Sequence, residues 1–481
     1  MLIRNKFKSV RYSIPDMRKS SFLKSSVVAA AMCSAVAAMA GDAKYIFYFI
    51  GDGMGAGHAM ATESYMRDIR KADMPLMLTF PVTGLVSTYS ASSPVTDSAA
   101  AGTALSTGSK TRNSMLGMAA DTTEVYSIAR ALKQDGYGIG IVTNVAPDDA
   151  TPGAFYAHVP ERHMYYEIGC QAAASGYEFI AGSNWRGLRG KDGKPTDLPE
   201  RFASAGYVTV RGTAGLDTVT SGKIVMLCTD SIASDLGYTI DRKDPQATTL
   251  VDMTRACLAQ MQRVSPDKFF MMVEGGNIDW AGHANDAATI IKEVAHFNDA
   301  LALAYEFYEK HPDETLIVVT ADHETGGMGL GTTFTGYNMR LDLIDHQKKS
   351  KDIFNQEIEA MIKSRRIYTF DDIKEKLTED FGMYTAIPVN EEQDGKLREA
   401  FNQTFVDRNS GKRTVTYYKS YSPFVMETFR ILGDHYGIGF TTGEHTGCFV
   451  PLYAVGVGAQ SFTGFYDNTQ VPVKILNQAE R

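Results

Sequence analysis

The sequence predicts an α/β protein: a three-layer, mostly parallel sheet with helices on both faces, plus an inserted crown- or lid-like subdomain. Three observations carry this. Unbroken β-prone apolar runs recur along the chain, helical stretches lie between them, and the runs end in loops rich in Gly and Asp. Strands buried on both faces read as continuous apolar runs, and strand–helix alternation builds a parallel sheet. With 481 residues and 44% hydrophobic content, the chain can bury a large core.

The first forty residues stand apart. They hold seven bases, one acid and the Ala-rich run Val27–Ala38, followed by Ala38-Met39-Ala40. This pattern reads as a secretory signal peptide cut after Ala40, which places the mature chain in the periplasm or outside the cell. The Ala-rich run is too short to span a bilayer, and no other stretch is long and apolar enough for a transmembrane segment. Of 48 Lys and Arg against 56 Asp and Glu in the whole chain, the remainder keeps 41 against 55, a net charge of −14. That balance argues against a nucleic-acid partner, and none is expected.

Tyr45–Ile50 is the first predicted strand, and it ends in Gly51-Asp52-Gly53-Met54-Gly55. The pattern repeats: Ile139–Thr143 precedes Asp148-Asp149-Ala150-Thr151, Phe269–Val273 precedes Glu274 to Asp279, and Leu316–Thr320 precedes Asp322-His323. Helices are expected from Asp121 to Gln134 closed by Gly136, from Thr249 to Arg263, and from Asp286 to Tyr308. In the last, Ile290, Ile291, Val294, Phe297, Leu301 and Ala304 form an apolar stripe that reads as core packing. The polar, charge-rich segment 331–443 breaks the rhythm and reads as an inserted subdomain, with helices near Ile353–Ile362 and, capped by Thr369, Asp371–Asp380. The catalytic unit is then 41–330 with 444–481. Cys170, Cys228, Cys257 and Cys448 leave free thiols and up to two disulfides both open.

Ligands of open parallel sheets bind beyond the strands' carboxyl ends, where the acidic residues have collected. Asp97-Ser98 before three alanines puts the Ser98 hydroxyl in the first turn of a helix, beside unpaired N–H groups that attract an anion. Asp279 and His283, four residues apart, share one helical face, and Asp322-His323 offers an adjacent oxygen and nitrogen. With His445 in Gly443-Glu444-His445-Thr446-Gly447, the mixed donors form two three-ligand sets suited to zinc: Asp279, His283 and His445, and Asp52, Asp322 and His323. Glu274 and the Thr151 hydroxyl are hard oxygen donors suited to magnesium.

These motifs, from Gly51-Asp52-Gly53 through Val95–Ala104, Asp149–Pro152, Glu274–His283, Thr320–Glu324 and Glu444–Gly447 to Gly464–Thr469, carry a resemblance. The chain resembles the alkaline phosphatases over nearly all of its mature length except the insert. The resemblance implies a hydrolase of small phosphate monoesters working through a phosphoserine on Ser98, with two Zn2+ ions and one Mg2+. It implies zinc on Asp279, His283 and His445, and on Asp52, Asp322 and His323. It implies magnesium on Asp52, Thr151 and Glu274, with Asp149 bonding the magnesium water shell. Arg162, thirteen residues beyond Asp149, is then the phosphate-gripping arginine, and a homodimer is implied as well. Trp280 departs from the family, whose well-known members have Lys or His there; two readings stand, one in which it alters phosphate release or magnesium retention and one in which it only packs the pocket wall.

Rival readings are weaker. A phosphodiesterase or nucleotide pyrophosphatase of the same superfamily usually carries Thr where this chain has Ser98, and a sulfatase needs a Cys-x-Pro-x-Arg motif that the chain lacks. A cytosolic phosphoglycerate mutase conflicts with the leader. A non-catalytic phosphate- or zinc-binding scavenger leaves Ser98 without a task.

Overall fold

A computed structural model describes residues 42–228, 235–364, 366–407, 414–415 and 420–480. The expected leader and its cut after Ala40 lie outside the described residues.

Ten strands form the central sheet: β1 (Tyr45–Ile50), β2 (Val82–Ser87), β3 (Gly138–Thr143), β4 (Phe179–Gly182), β5 (Val208–Arg211), β6 (Ile224–Leu227), β7 (Phe269–Glu274), β8 (Thr315–Thr320), β9 (Val450–Gly456) and β10 (Gly464–Asp467). Their order is β10-β2-β9-β8-β1-β7-β3-β4-β6-β5. Only β9 runs antiparallel to its neighbours. The expected parallel α/β sheet is therefore present, with one reversed strand. In β1, β3, β7 and β8 every residue is buried, because helices cover both faces of the sheet's centre. Tyr45, Phe47, Phe269 and Phe307 pack there with ring centroids 4.9–5.6 Å apart, and each such pair contributes about 0.5–1.5 kcal/mol beyond burial.

Register decides where the chemistry sits. Ile50 pairs with Glu274 on one side and Thr320 on the other, and Thr143 pairs with the far side of Glu274. Four strands thus end on one line, and the acids following them emerge together.

The helices Leu250–Val264 and Ala287–Lys310 begin where expected, on the caps Thr249 and Asp286. All six residues of the predicted stripe are buried. The helix expected from Asp121 is shorter, running Ile128–Gln134 from the cap Ser127. Asp121 instead accepts from the Thr123 backbone N–H and hydroxyl, and Thr122 takes a φ of 74°, so the first residues form a turn.

Segment 331–443 contains the helices Lys351–Lys363, Phe370–Phe381, Glu391–Phe401 and Pro423–Tyr436. Thr369 caps the second of these as expected, in a reciprocal capping box with Asp372. At the segment's base Gly329-Leu330 pairs with Ile438-Gly439, so the chain leaves and returns at one place. Cys170, Cys228, Cys257 and Cys448 are all free thiols. No helix among the described residues is long and apolar enough to cross a membrane.

Candidate active site

Ser98 is the first residue of the helix Ser98–Thr107, and the Asp97 side chain caps it by accepting from Ala100 N at 2.9 Å. The alanines that follow favour the helix and leave its first turn narrow enough to approach the sheet. Ser98 is buried, with Oγ 3.2 Å from Nε2 of His323. Gly102 lets the helix pack on the Ala150–Gly153 turn, since a Cβ there would lie 3.3 Å from both Thr151 Cα and Ala154 Cβ.

Asp52 and Asp322 each stand two residues beyond paired strand ends and meet at His323. Nε2 of His323 is 3.5 Å from Asp52 Oδ1 and 3.2 Å from Asp322 Oδ2. On the helix Asn277–His283, Asp279 Oδ2 is 3.4 Å from His283 Nε2, as the i,i+4 spacing requires. His445, on the short strand His445-Thr446, brings Nε2 to 3.5 Å from Asp279 Oδ1 and 3.1 Å from His283 Nε2. The His323 and His445 rings stack at 3.6 Å, so the two predicted sets adjoin. The ligand atoms of Asp279, His323 and His445 also fall within 4.8 Å of one another, which makes His323 the junction of the sets.

Hydrogen bonding fixes which nitrogens carry protons. Nδ1 of His283 donates to Gly443 O at 2.7 Å, and Nδ1 of His445 donates to Thr96 O at 2.8 Å. The Thr325 hydroxyl donates to Asp279 Oδ1 at 2.5 Å and therefore accepts from Nδ1 of His323 at 3.2 Å. All three Nε2 atoms then present lone pairs to the site. Two such lone pairs 3.1 Å apart, on His283 and His445, repel unless a cation lies between them. Asp52 Oδ1, Asp322 Oδ2 and Thr151 Oγ1 are buried there without a hydrogen-bond partner. This cluster of acceptors with too few donors fits divalent cations.

The carboxyl groups respond to the same crowding. Burial, followed by the charges of Asp322, Asp279 and Glu274, pushes Asp52 well above the usual range. Burial likewise raises Asp322 and Glu274, although Thr143 donates to Glu274 at 2.5 Å. Burial opposes ionisation of Asp279 too, yet His283 holds its carboxyl far below the usual range and is itself raised by it, so with no metal ion present a proton on His283 supplies the cation between these groups.

Arg162 is buried, with Nη1 3.3 Å from Asp97 Oδ2 and Nη2 3.2 Å from Asp149 Oδ1. It lines a cavity of about 160 Å³ with Thr96, Asn113, Glu444 and His445, beside the Ser98 helix. Trp280 is 8% exposed, and the guanidinium of Arg186 lies 5.6 Å from its ring centroid. The structure thus brings together Ser98, Asp52, Asp279, His283, Asp322, His323 and His445, with Glu274, Thr151, Asp149 and Arg162 around them.

Four participants leave little or no trace in the sequence. Arg186 follows β4, a run too short to attract notice, and its Nη2 reaches Asp149 Oδ2 at 2.9 Å. Thr325 and the carbonyls of Thr96 and Gly443 orient the imidazoles. A Thr two residues after His323 was the available signal for Thr325, whereas a backbone carbonyl leaves none.

Comparison with known proteins finds relatives over most of the chain. The family model for alkaline phosphatase matches residues 43–184 and 183–480. Alkaline phosphatase 3 of Bacillus subtilis (strain 168) is 29% identical over 445 residues, covering 90% of this chain and 88% of its own. The cold-active alkaline phosphatase of Shewanella sp. superposes with a TM-score of 0.73 at 29% identity, over 90% of this chain and 98% of that one. A mutant alkaline phosphatase of the Antarctic bacterium TAB5, solved with Mg bound in its M3 site, superposes at 0.64 with 26% identity, over 92% and 99%. The chain belongs to the alkaline phosphatase family of phosphomonoester hydrolases.

Proposed function

We propose that this chain hydrolyses phosphate monoesters to an alcohol and inorganic phosphate through a phosphoserine on Ser98, using two zinc ions and one magnesium ion. The observation that carries the reading is the position of Ser98. Its hydroxyl opens a helix, is buried, and lies 3.2 Å from His323 Nε2 at the edge of the acceptor cluster.

Asp279, His283 and His445 would hold one zinc, and Asp52, Asp322 and His323 the other. Asp52, Thr151 and Glu274 would hold magnesium, with Asp149 bonding its water shell. The unpaired oxygens of Asp52, Asp322 and Thr151 support this division. Bound there, the cations favour the ionised serine and the departing oxygen, as two-metal phosphoryl transfer requires. The rest falls to the protein. Arg162 presents a planar fork that can bond two phosphoryl oxygens, and the helix start at Ser98 adds backbone N–H groups. Ser98 Oγ displaces the alcohol, and water then displaces Ser98 from phosphorus.

Segment 331–443 is read as an inserted subdomain beside this centre, and residues 1–40 as a signal peptide for the periplasm or the exterior. The homodimer of the family resemblance is carried over as part of the same proposal.

The test is hydrolysis of an aryl phosphate monoester and the matching diester by the purified mature chain, before and after chelation. Monoester turnover that is lost with chelator and restored by zinc plus magnesium is expected. Diester preference would move the chain to the phosphodiesterase branch, and bound phosphate without turnover would make it a scavenger.

A further inference from the structure

Asp149 is shared by two guanidinium groups, one on each carboxylate oxygen. Arg162 Nη2 lies 3.2 Å from Oδ1 and Arg186 Nη2 lies 2.9 Å from Oδ2. The two arginines are held very differently. Arg162 makes long contacts to two carboxylates, 3.3 Å to Asp97 and 3.2 Å to Asp149. Arg186 is anchored along its whole length. Its backbone N–H and that of Gly187 bond the Asp148 carboxylate at 3.0 and 2.7 Å, and its Nη1 donates to the Tyr165 hydroxyl at 2.8 Å. Its guanidinium also lies 5.0 Å from the Tyr165 ring centroid and 5.6 Å from that of Trp280.

The arrangement has an electrostatic consequence. Asp97, Asp149, Arg162 and Arg186 together are neutral. Without Arg186 the group carries a net negative charge beside the place where a phosphate dianion would bind, and Arg162 is the one guanidinium left on Asp149, whose Oδ1 also accepts from Ala150 N at 2.8 Å. Nearly dry surroundings make that difference large, since Arg162, Asp149 and Arg186 have side chains 6%, 10% and 17% exposed. Trp280, one residue past Asp279, contributes no charge of its own. The cation on this side of the site therefore comes from the β4 turn and lies across the indole.

We infer that Arg186 is a positioning residue for phosphate: by occupying the outer oxygen of Asp149, it keeps that carboxylate from capturing Arg162 and leaves the Arg162 fork for phosphoryl oxygens. The inference rests on the proposed monoesterase reading, in which Arg162 grips phosphate. It assigns Arg186 to binding rather than to bond cleavage. Loss of Arg186 should weaken phosphate and raise KM, with kcat falling less than KM rises.

The experiment uses the metal-loaded mature chain and measures three quantities for each variant: the inhibition constant of inorganic phosphate, KM and kcat for an aryl phosphate, and the unfolding midpoint. Wild type comes first. If it neither turns over the monoester nor is inhibited by phosphate, the site reading fails and not this inference. Given a working wild type, Arg186→Gln should raise the phosphate inhibition constant and KM at least tenfold, with Arg186→Lys in between.

Two second-site variants then separate charge from scaffolding. Arg186→Gln with Asp149→Asn removes the unpaired carboxylate, and Arg186→Gln with Trp280→Lys supplies a cation from the neighbouring position. Each should recover phosphate inhibition to within about threefold of wild type. A phosphate constant within twofold of wild type in Arg186→Gln would overturn the inference. So would a loss that neither second change repairs in proteins whose unfolding midpoints match wild type.

Discussion

Ser98 Oγ and His323 Nε2 lie 3.2 Å apart although 225 residues separate them in the chain. His323 gives its Nδ1 proton to Thr325, so it cannot also protonate the serine, and the Ser98 hydroxyl is the donor of this contact. Ser98 is buried and opens its helix at the acceptor cluster, the placement on which the proposed phosphoserine rests. Ser98→Ala should therefore lower monoester turnover by at least ~10³-fold, the scale of nucleophile removal. The fold should survive, because the Ser98 side chain contributes one hydrogen bond and the cap belongs to Asp97. Retained turnover in a correctly folded Ser98→Ala protein would exclude the phosphoserine route.

The lone pairs of His283 and His445, 3.1 Å apart, and the unpaired oxygens of Asp52 and Asp322 make the centre unstable without cations. Chelation should then lower the unfolding midpoint as well as activity. A site saturated at a hundred times its dissociation constant contributes ~2.7 kcal/mol. In a chain of this size that is about 3 °C per site, since the unfolding entropy grows with length. Added zinc should restore the midpoint, and a scan unchanged by chelator would show that the cluster does not hold metal.

Gly102 joins the Ser98 helix to the turn bearing Thr151, and two magnitudes decide what a side chain does there. Alanine gains ~0.5–1 kcal/mol of helix propensity but sets its Cβ 3.3 Å from Thr151 Cα and Ala154 Cβ, closer than relaxed packing. These effects nearly cancel, so Gly102→Ala should unfold within about 2 °C of wild type while losing activity, because Ser98 moves relative to Thr151. Gly102→Val cannot relax and should cost about 1–3 kcal/mol. Parallel thermal scans and rate measurements check both, and full activity in Gly102→Val would show that the helix position is unimportant.

How much of this was legible in sequence depended on how local each signal was. The runs that became β1, β3, β7 and β8 were readable because a strand buried on both faces needs apolar residues throughout. The pairing of Asp279 with His283 was readable because helical period is local. The union of Asp52 with Asp322 was readable only from their shared strand-end context and the family resemblance, because its physical cause, Ile50 and Thr320 being register partners 270 residues apart, leaves no local signal. The weak strands were missed for the opposite reason. β2 alternates buried and exposed residues near the sheet edge, and β4 is four residues long, so neither stands out. Missing β4 meant missing Arg186. Trp280 then read as a lost charge, although the structure sets a guanidinium across it.

Lys351 supplies a prediction about alkaline stability. It is 2% exposed, and Nζ donates to Ala284 O at 2.8 Å, one residue beyond the helix carrying Asp279 and His283. Around it lie the Tyr421 and Phe429 rings, at 4.6 and 5.6 Å, and the carboxylates of Asp286 and Asp352. Burial pushes the ammonium down from 10.5 to about 8, and the two acids only partly offset this. A base with a lowered folded pKa binds fewer protons folded than unfolded between the two values, so its contribution makes stability rise with pH across that window. Below about pH 8 the full desolvation cost is present, and above 10.5 it is gone. Lys351→Met keeps most of the volume and removes the titration. Denaturant unfolding of both proteins from pH 7 to 10.5 should show wild type gaining on Lys351→Met above pH 8, by up to roughly 1.4 kcal/mol per unit. Comparing the pair cancels the tyrosines and acids that titrate in both. A stability difference that stays flat over this range would mean that Lys351 keeps its proton in the fold, and that the link between segment 331–443 and the Asp279 helix is a permanent charge.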